Sequence, residues 1–102
     1  MRNISHARKE SFPPMTLAYE MHEDGTSHQV EVTRQSLSSE SVYCIIDDAN
    51  KNIYVWMGKN ADVRKRFVGA QTASSLRNEQ GNGFRVRPED EGEESSNFLS
   101  SI

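Results

Sequence analysis

Between Ser41 and Leu76 the chain reads as strand, short turn, strand and helix with almost nothing between them, and that run limits what the rest can fold into. Val42-Tyr-Cys-Ile-Ile-Asp47 is nearly all apolar. A strand with one wet face would alternate, so this one is predicted to be a central strand covered on both sides. Asp48-Ala-Asn-Lys-Asn52 turns the chain, and Ile53-Tyr-Val-Trp-Met57 returns as its hairpin partner before Gly58. A helix follows at once, with Asn60 or Asp62 able to cap it because either side chain can accept from the free amides of a first turn. Val63, Phe67, Ala70 and Ser74 recur at spacings of four, three and four, and this stripe is read as the buried face, with Leu76 at its edge. Arg64, Lys65, Arg66 and Arg77 project around it, and Gln71, Ser75 and Asn78 are left on the outward side.

The flanks supply further strands. Residues 1–14 are polar and end in Pro13-Pro14, which reads as a flexible arm ahead of a single domain spanning residues 15–102. From Met15, the residues Met15, Leu17, Tyr19 and Met21 alternate with Thr16, Ala18, Glu20 and His22, the period of a strand with one face on a core. Asp24-Gly25 is the strongest local hairpin signal, and Gln29-Val-Glu-Val-Thr33 is the strand it returns. After the helix, Gly81-Asn-Gly83 is a C-cap turn, Phe84-Arg-Val-Arg87 a last strand before Pro88, and Glu89-Asp-Glu-Gly-Glu-Glu94 a solvated loop. Phe98, Leu99 and Ile102 open a short terminal helix. The predicted architecture is α+β: a mixed sheet of about five strands between the long helix Asp62 to Asn78 and the short C-terminal one. Trp56, Tyr43, Ile45, Ile53, Val55, Phe67 and Ala70 are the expected core.

Several function classes fall away on composition. A chain of 102 residues has room for one modest core. A formal charge of −3 excludes a global basic field for nucleic acid. No stretch approaches the roughly 18 apolar residues that span a bilayer. With one cysteine no intrachain disulfide can form, and the N-terminus lacks the apolar centre of a signal peptide, so the cytoplasm is the expected compartment. Catalytic groups are sparse. His6 lies in the arm, while His22 and His28 share a turn without further ligands at metal spacing, so a solvated turn is preferred over a metal clip. Cys44 sits among Tyr43, Ile45 and Ile46, where burial makes a structural cysteine a better reading than a nucleophile. The Gly81-Asn-Gly83 turn ends a helix instead of starting one, leaving no amide cluster to hold a phosphate.

The strand Ser41-Val-Tyr-Cys-Ile-Ile-Asp, the returning Ile-Tyr-Val-Trp-x-Gly, and Glu91-Gly-Glu-Glu-Ser-Ser-Asn-Phe98 together resemble the gelsolin-like domain of the gelsolin, villin and severin family, over roughly Met15 to Leu99. The resemblance implies a non-enzymatic cytoskeletal protein that binds actin or an actin-like protein. The alternative it leaves open is a gelsolin-like interaction module in another assembly, such as a vesicle coat. It also raises calcium. The family holds an intradomain ion with a carboxylate that starts the central strand, the carbonyl before it and a glutamate in the helix, positions that fall here at Ser41 and Lys65. Neither is acidic, and an ammonium repels a divalent cation, so no calcium is expected unless the register shifts to bring in Glu40. Glu40 is instead expected to pair with Lys65. The family's second calcium, shared with actin, falls at Arg77 and is lost too. Family members insert apolar side chains of the long helix between two actin subdomains, whereas the face read here as outward, Gln71, Ser75 and Asn78, is polar. Arg64-Lys65-Arg66 is left to meet an acidic partner or an anionic phosphoinositide, or to serve only as a charged solvent face.

Overall fold

The computed structural model describes residues 16–81 and 83–102. The arm expected over residues 1–14, with His6, the strand residue Met15 and Asn82 of the Gly-Asn-Gly turn lie outside them. Chain order is β1 (Thr16–Met21), β2 (Ser27–Val32), β3 (Val42–Asp47), β4 (Asn52–Met57), α1 (Val63–Gln80), β5 (Arg85–Asp90) and α2 (Ser96–Ser101). The strands form one sheet in the order β2-β1-β3-β4-β5. All neighbours run antiparallel except β4 and β5, which the α1 crossover makes parallel. This is the α+β architecture that the sequence predicts.

Alternation along β3 and β4 divides the core into two layers. Val42, Cys44, Ile53 and Val55 face α1, where they meet Met21, Val68, Ala73, Leu76 and Phe84. Tyr43, Ile45, Tyr54 and Trp56 face the other way, against Phe98 and Ile102 of the C-terminal segment. Phe98 stands edge-on to Tyr54 with ring centroids 5.3 Å apart, and Tyr43 and Trp56 lie 5.8 Å apart. Burying an aromatic of this size stabilises by roughly 1.5–3 kcal/mol, so the six-residue α2 is held by its anchor and not by its own helix propensity. Cys44 is fully buried, its Sγ 3.5 Å from the Gly69 carbonyl oxygen, and burial pushes its thiol pKa up to about 12.

Two glycines set how closely the layers approach. A Cβ on Gly69 would lie 2.7 Å from Val42 Cγ1 and 3.3 Å from Val55 Cγ1, so its absence is what lets α1 lie down on β3 and β4. A Cβ on Gly58 would lie 2.2 Å from the backbone oxygen of Ser39, which explains the glycine two places after Trp56.

Three expectations need correction. Phe67 is 58% exposed and Ala70 is also exposed, so neither belongs to the core. The helix turns Val68, Gly69, Ala73 and Leu76 to the sheet, because the small side chains there permit the closest approach, and the Val63-Phe67-Ala70-Ser74 stripe points outward. β5 does not stop before Pro88 but runs through it, a placement open to proline because β5 is an edge strand. The acidic run is not a solvated loop either. Glu89 is buried and accepts from both the backbone N and the hydroxyl of Ser95 at 2.7 and 2.8 Å, and Glu94 accepts from Trp56 Nε1 at 2.9 Å.

Candidate partner-binding face

Asp62 caps α1, its Oδ1 accepting from the Lys65 amide at 2.8 Å, and Gly81 closes the helix with its N–H on the Arg77 carbonyl at 3.1 Å. Between these caps the solvent side of the helix carries Val63, 82% exposed, and Phe67 one turn later, followed by Ala70, Gln71, Ser74 and Asn78. The face is therefore apolar at its N-terminal end and polar at its C-terminal end. Val63 and Phe67 are two of the four large exposed hydrophobic residues among those described, the others being Leu17 and Val86. The stripe Val63-Phe67-Ala70-Ser74, which periodicity marks as buried, is thus the outward one. Gly69 was the signal available, since a glycine in mid-helix marks the side on which another backbone comes close.

The three cations of the basic cluster reach in different directions. Arg64 Nε donates to the Glu23 carbonyl at 3.1 Å, Lys65 Nζ to the Glu40 carbonyl at 3.1 Å, and Arg66 to the Ala61 and Gly58 carbonyls at 3.2 and 3.4 Å. Each cation ties the first turn of α1 to a different loop. Of the residues expected to share a binding surface, Gln71 and Asn78 lie on the outward face, Ser75 at its margin toward the β1–β2 side, and Arg64, Lys65 and Arg66 are drawn off to the loops.

The residues at the two expected calcium positions are each engaged by the protein itself. Ser41 is buried with its hydroxyl donating to Glu20 Oε2 at 2.8 Å. The Lys65 ammonium donates to the carbonyl of Glu40, the oxygen that precedes the strand-starting position. Its contact is with the backbone carbonyl and not the carboxylate pairing expected for Glu40, because the ammonium reaches the loop from the first turn of α1, beside the chain. Arg77 donates from Nε to the Phe84 carbonyl at 3.3 Å and joins the end of α1 to the residue that precedes β5. Among the described residues no group of three or more His, Cys, Asp or Glu is arranged to hold a metal.

Other groups at this end of the molecule rigidify the loops. Glu91 accepts from the Lys59 amide at 2.9 Å and the Ser39 hydroxyl at 2.7 Å, which holds its carboxyl below the usual range. Glu23 is pushed up by a hydrogen bond to Asp62 and by that carboxylate's charge, while Asp62 is lowered by the Lys65 amide it caps. His22 and His28 stack edge to face at 4.4 Å, and the Nε2 of half-buried His22 has no partner, while the turn residues Glu23 to His28 are exposed as the sequence implies.

A family model described as the gelsolin repeat matches residues 27–99. A search of curated proteins finds no match. Among solved structures, the chain is similar to the Thorarchaeota protein ProGel, crystallised in complex with rabbit actin: 30% identity over 84% of this chain and 97% of ProGel, with a TM-score of 0.77. It is similar also to Thorarchaeota 2DGel3, again crystallised with rabbit actin, at 26% identity over 100% of this chain and 50% of that one, with a TM-score of 0.67.

Proposed function

This chain belongs to the gelsolin family, and from that premise we propose that it binds actin or an actin-like protein through the outward face of α1, without catalysis and without need of calcium. The observation that carries the reading is the exposed pair Val63 and Phe67. Apolar and aromatic side chains at the centre of a docking surface dominate interface energetics, and a face with such anchors at one end and amides and hydroxyls at the other offers both a buried contact and a polar rim. Two relatives of this fold crystallised with rabbit actin lend the partner support.

Calcium independence rests on Lys65. A divalent ion needs several oxygen ligands of net negative charge, whereas here an ammonium holds the Glu40 carbonyl and the Ser41 hydroxyl is turned to Glu20. The ammonium links the loop before β3 to the first turn of α1 without an ion. The reading as a vesicle-coat-like module draws on a polar helix face and on the missing calcium carboxylates; the outward apolar pair speaks against the first of these. A phosphoinositide role for Arg64-Lys65-Arg66 has less support, since the three cations reach to three different loops and Lys65 and Arg66 are half-buried there.

The test is actin binding by sedimentation and by monomer titration, in chelator and in calcium, with wild type and Phe67→Glu. Binding that is equal in both media and lost in the variant is the expected result. Binding by wild type that survives Phe67→Glu, or that requires calcium, overturns it.

A further inference from the structure

We propose that the opposite side of the sheet carries a second binding site, for a compact phosphate-bearing anion, built from Lys51, Arg85 and Arg87. A cleft of about 440 Å³ opens where the β3–β4 turn meets the start of β5 and the first turn of α2. Three cations and the amides of Asn50, Asn52 and Asn97 line it, and no carboxylate does so among the described residues. Such a concentration of positive charge is not a reflection of composition, because the chain as a whole is acidic at −3.

The topology explains how the cations converge. Arg85 and Arg87 are two apart on β5, so they share one face, and the parallel register sets them beside Asn52 and Tyr54 of β4. Asn52 is 5% exposed, an unusual position for a polar side chain. Its Oδ1 accepts from Arg87 Nε at 3.1 Å and its Nδ2 donates to the Tyr54 hydroxyl at 3.0 Å. Through this chain a fully buried tyrosine fixes the plane of a guanidinium at the wall of the cleft. Binding through Nε leaves the terminal nitrogens to meet a ligand in the paired geometry that suits phosphate oxygens.

Lys51 supplies the third charge from a turn with φ 58°, a left-handed conformation that glycine or asparagine adopts more readily. Its ammonium lies 5.3 Å from the Phe84 ring centroid, and its carbonyl accepts from the Arg85 amide at 3.0 Å, which couples the turn to β5. The nearest acids of the turn are Asp47 and Asp48. Asp47 is occupied by Asn50 and by the Ser101 hydroxyl at 2.9 Å, and neither acid lines the cleft. No aromatic face lines it either, so a base has nothing to stack on, and a small multiply charged anion fits better than nucleic acid.

Free phosphate and a lipid headgroup share this chemistry, and two probes separate them: calorimetric titration with tripolyphosphate, and flotation with phosphatidylcholine vesicles with and without phosphatidic acid. The double variant Lys51→Ala/Arg85→Ala changes only exposed side chains and should keep its melting temperature while binding either probe at least about tenfold more weakly. Arg64→Glu/Arg66→Glu should bind as wild type does. Tripolyphosphate binding alone assigns a soluble phosphate ligand, and binding to phosphatidic acid vesicles assigns a headgroup. Wild type that binds neither probe, or binding that the double variant retains, overturns the site. Actin binding should be untouched by Lys51→Ala/Arg85→Ala, so this proposal and the helix-face reading fail separately.

Discussion

Phe67 and Gly69 stand two positions apart on α1 and face opposite ways: the ring is open to solvent, while the glycine lies against Val42 and Val55. Close approach on one side thus fixes what the helix offers on the other. Phe67→Ala should weaken actin binding by about 2 kcal/mol or more, the scale of an interface anchor, while leaving thermal stability within about 0.5 kcal/mol. Equal affinities for the two proteins in monomer titration would rule out the helix face.

Gly69→Ala makes the complementary test. The added methyl meets Val42 Cγ1 at 2.7 Å, and overpacking of that kind costs about 1–3 kcal/mol in denaturant unfolding. Gly58→Ala should be worse, because the obstacle is the Ser39 backbone and not a side chain that can turn away. If Gly58→Ala were the milder of the two, the account of the glycine after Trp56 would be wrong.

Lys65 offers a gain-of-function experiment. Ser41→Asp combined with Lys65→Glu puts carboxylates at both family ligand positions and removes the ammonium from the Glu40 carbonyl. Calcium should then raise the melting temperature of the double variant and leave that of wild type unchanged. A wild-type melting temperature that rises with calcium would refute the reading of Lys65.

Acid should act through the loop carboxylates. Glu91 has an unfolded reference near 4.5 and a lower folded value, set by the Lys59 amide and then the Ser39 hydroxyl. Its stabilisation is therefore complete above 4.5 and lost as pH falls through the folded value. Asp24, lowered by Thr26, and Asp62, lowered by the Lys65 amide, act in the same direction, whereas Glu23, raised by Asp62, acts in the opposite one. Glu91→Gln should make melting temperature less steep with pH below 4.5 without abolishing the slope. An unchanged slope would mean that the tie to Ser39 and Lys59 adds nothing.

The sheet is readable because its signals are local: the unbroken apolar run of β3, Asp24-Gly25, and Trp56-Met-Gly58 leading into a helix; the alternation of β1 locates the strand but not its faces, since Leu17 is 54% exposed and Ala18 fully buried. The facing of α1 is not readable either. Val63, Phe67 and Ala70 on one side and Val68, Ala73 and Leu76 on the other are similar in apolar content, so periodicity finds two stripes and cannot rank them. What ranks them is the fit of Gly69 between two valines from distant strands. Nor does any neighbour in sequence tie Glu91 to Lys59 and Ser39 or Glu94 to Trp56, since these donors come from elsewhere in the chain. The basic run at Arg64 misled for the same reason: its acceptors are backbone carbonyls, which carry no signature in a residue string.

The buried Cys44 gives this molecule an internal clock. A thiol with a pKa near 12, enclosed beneath α1, is almost never a thiolate at neutral pH and is shut away from solutes. Alkylating reagents can reach it only when the helix lifts from the sheet, so the labelling rate of this single thiol counts opening events, and a ligand that holds α1 down would be seen as a slower count.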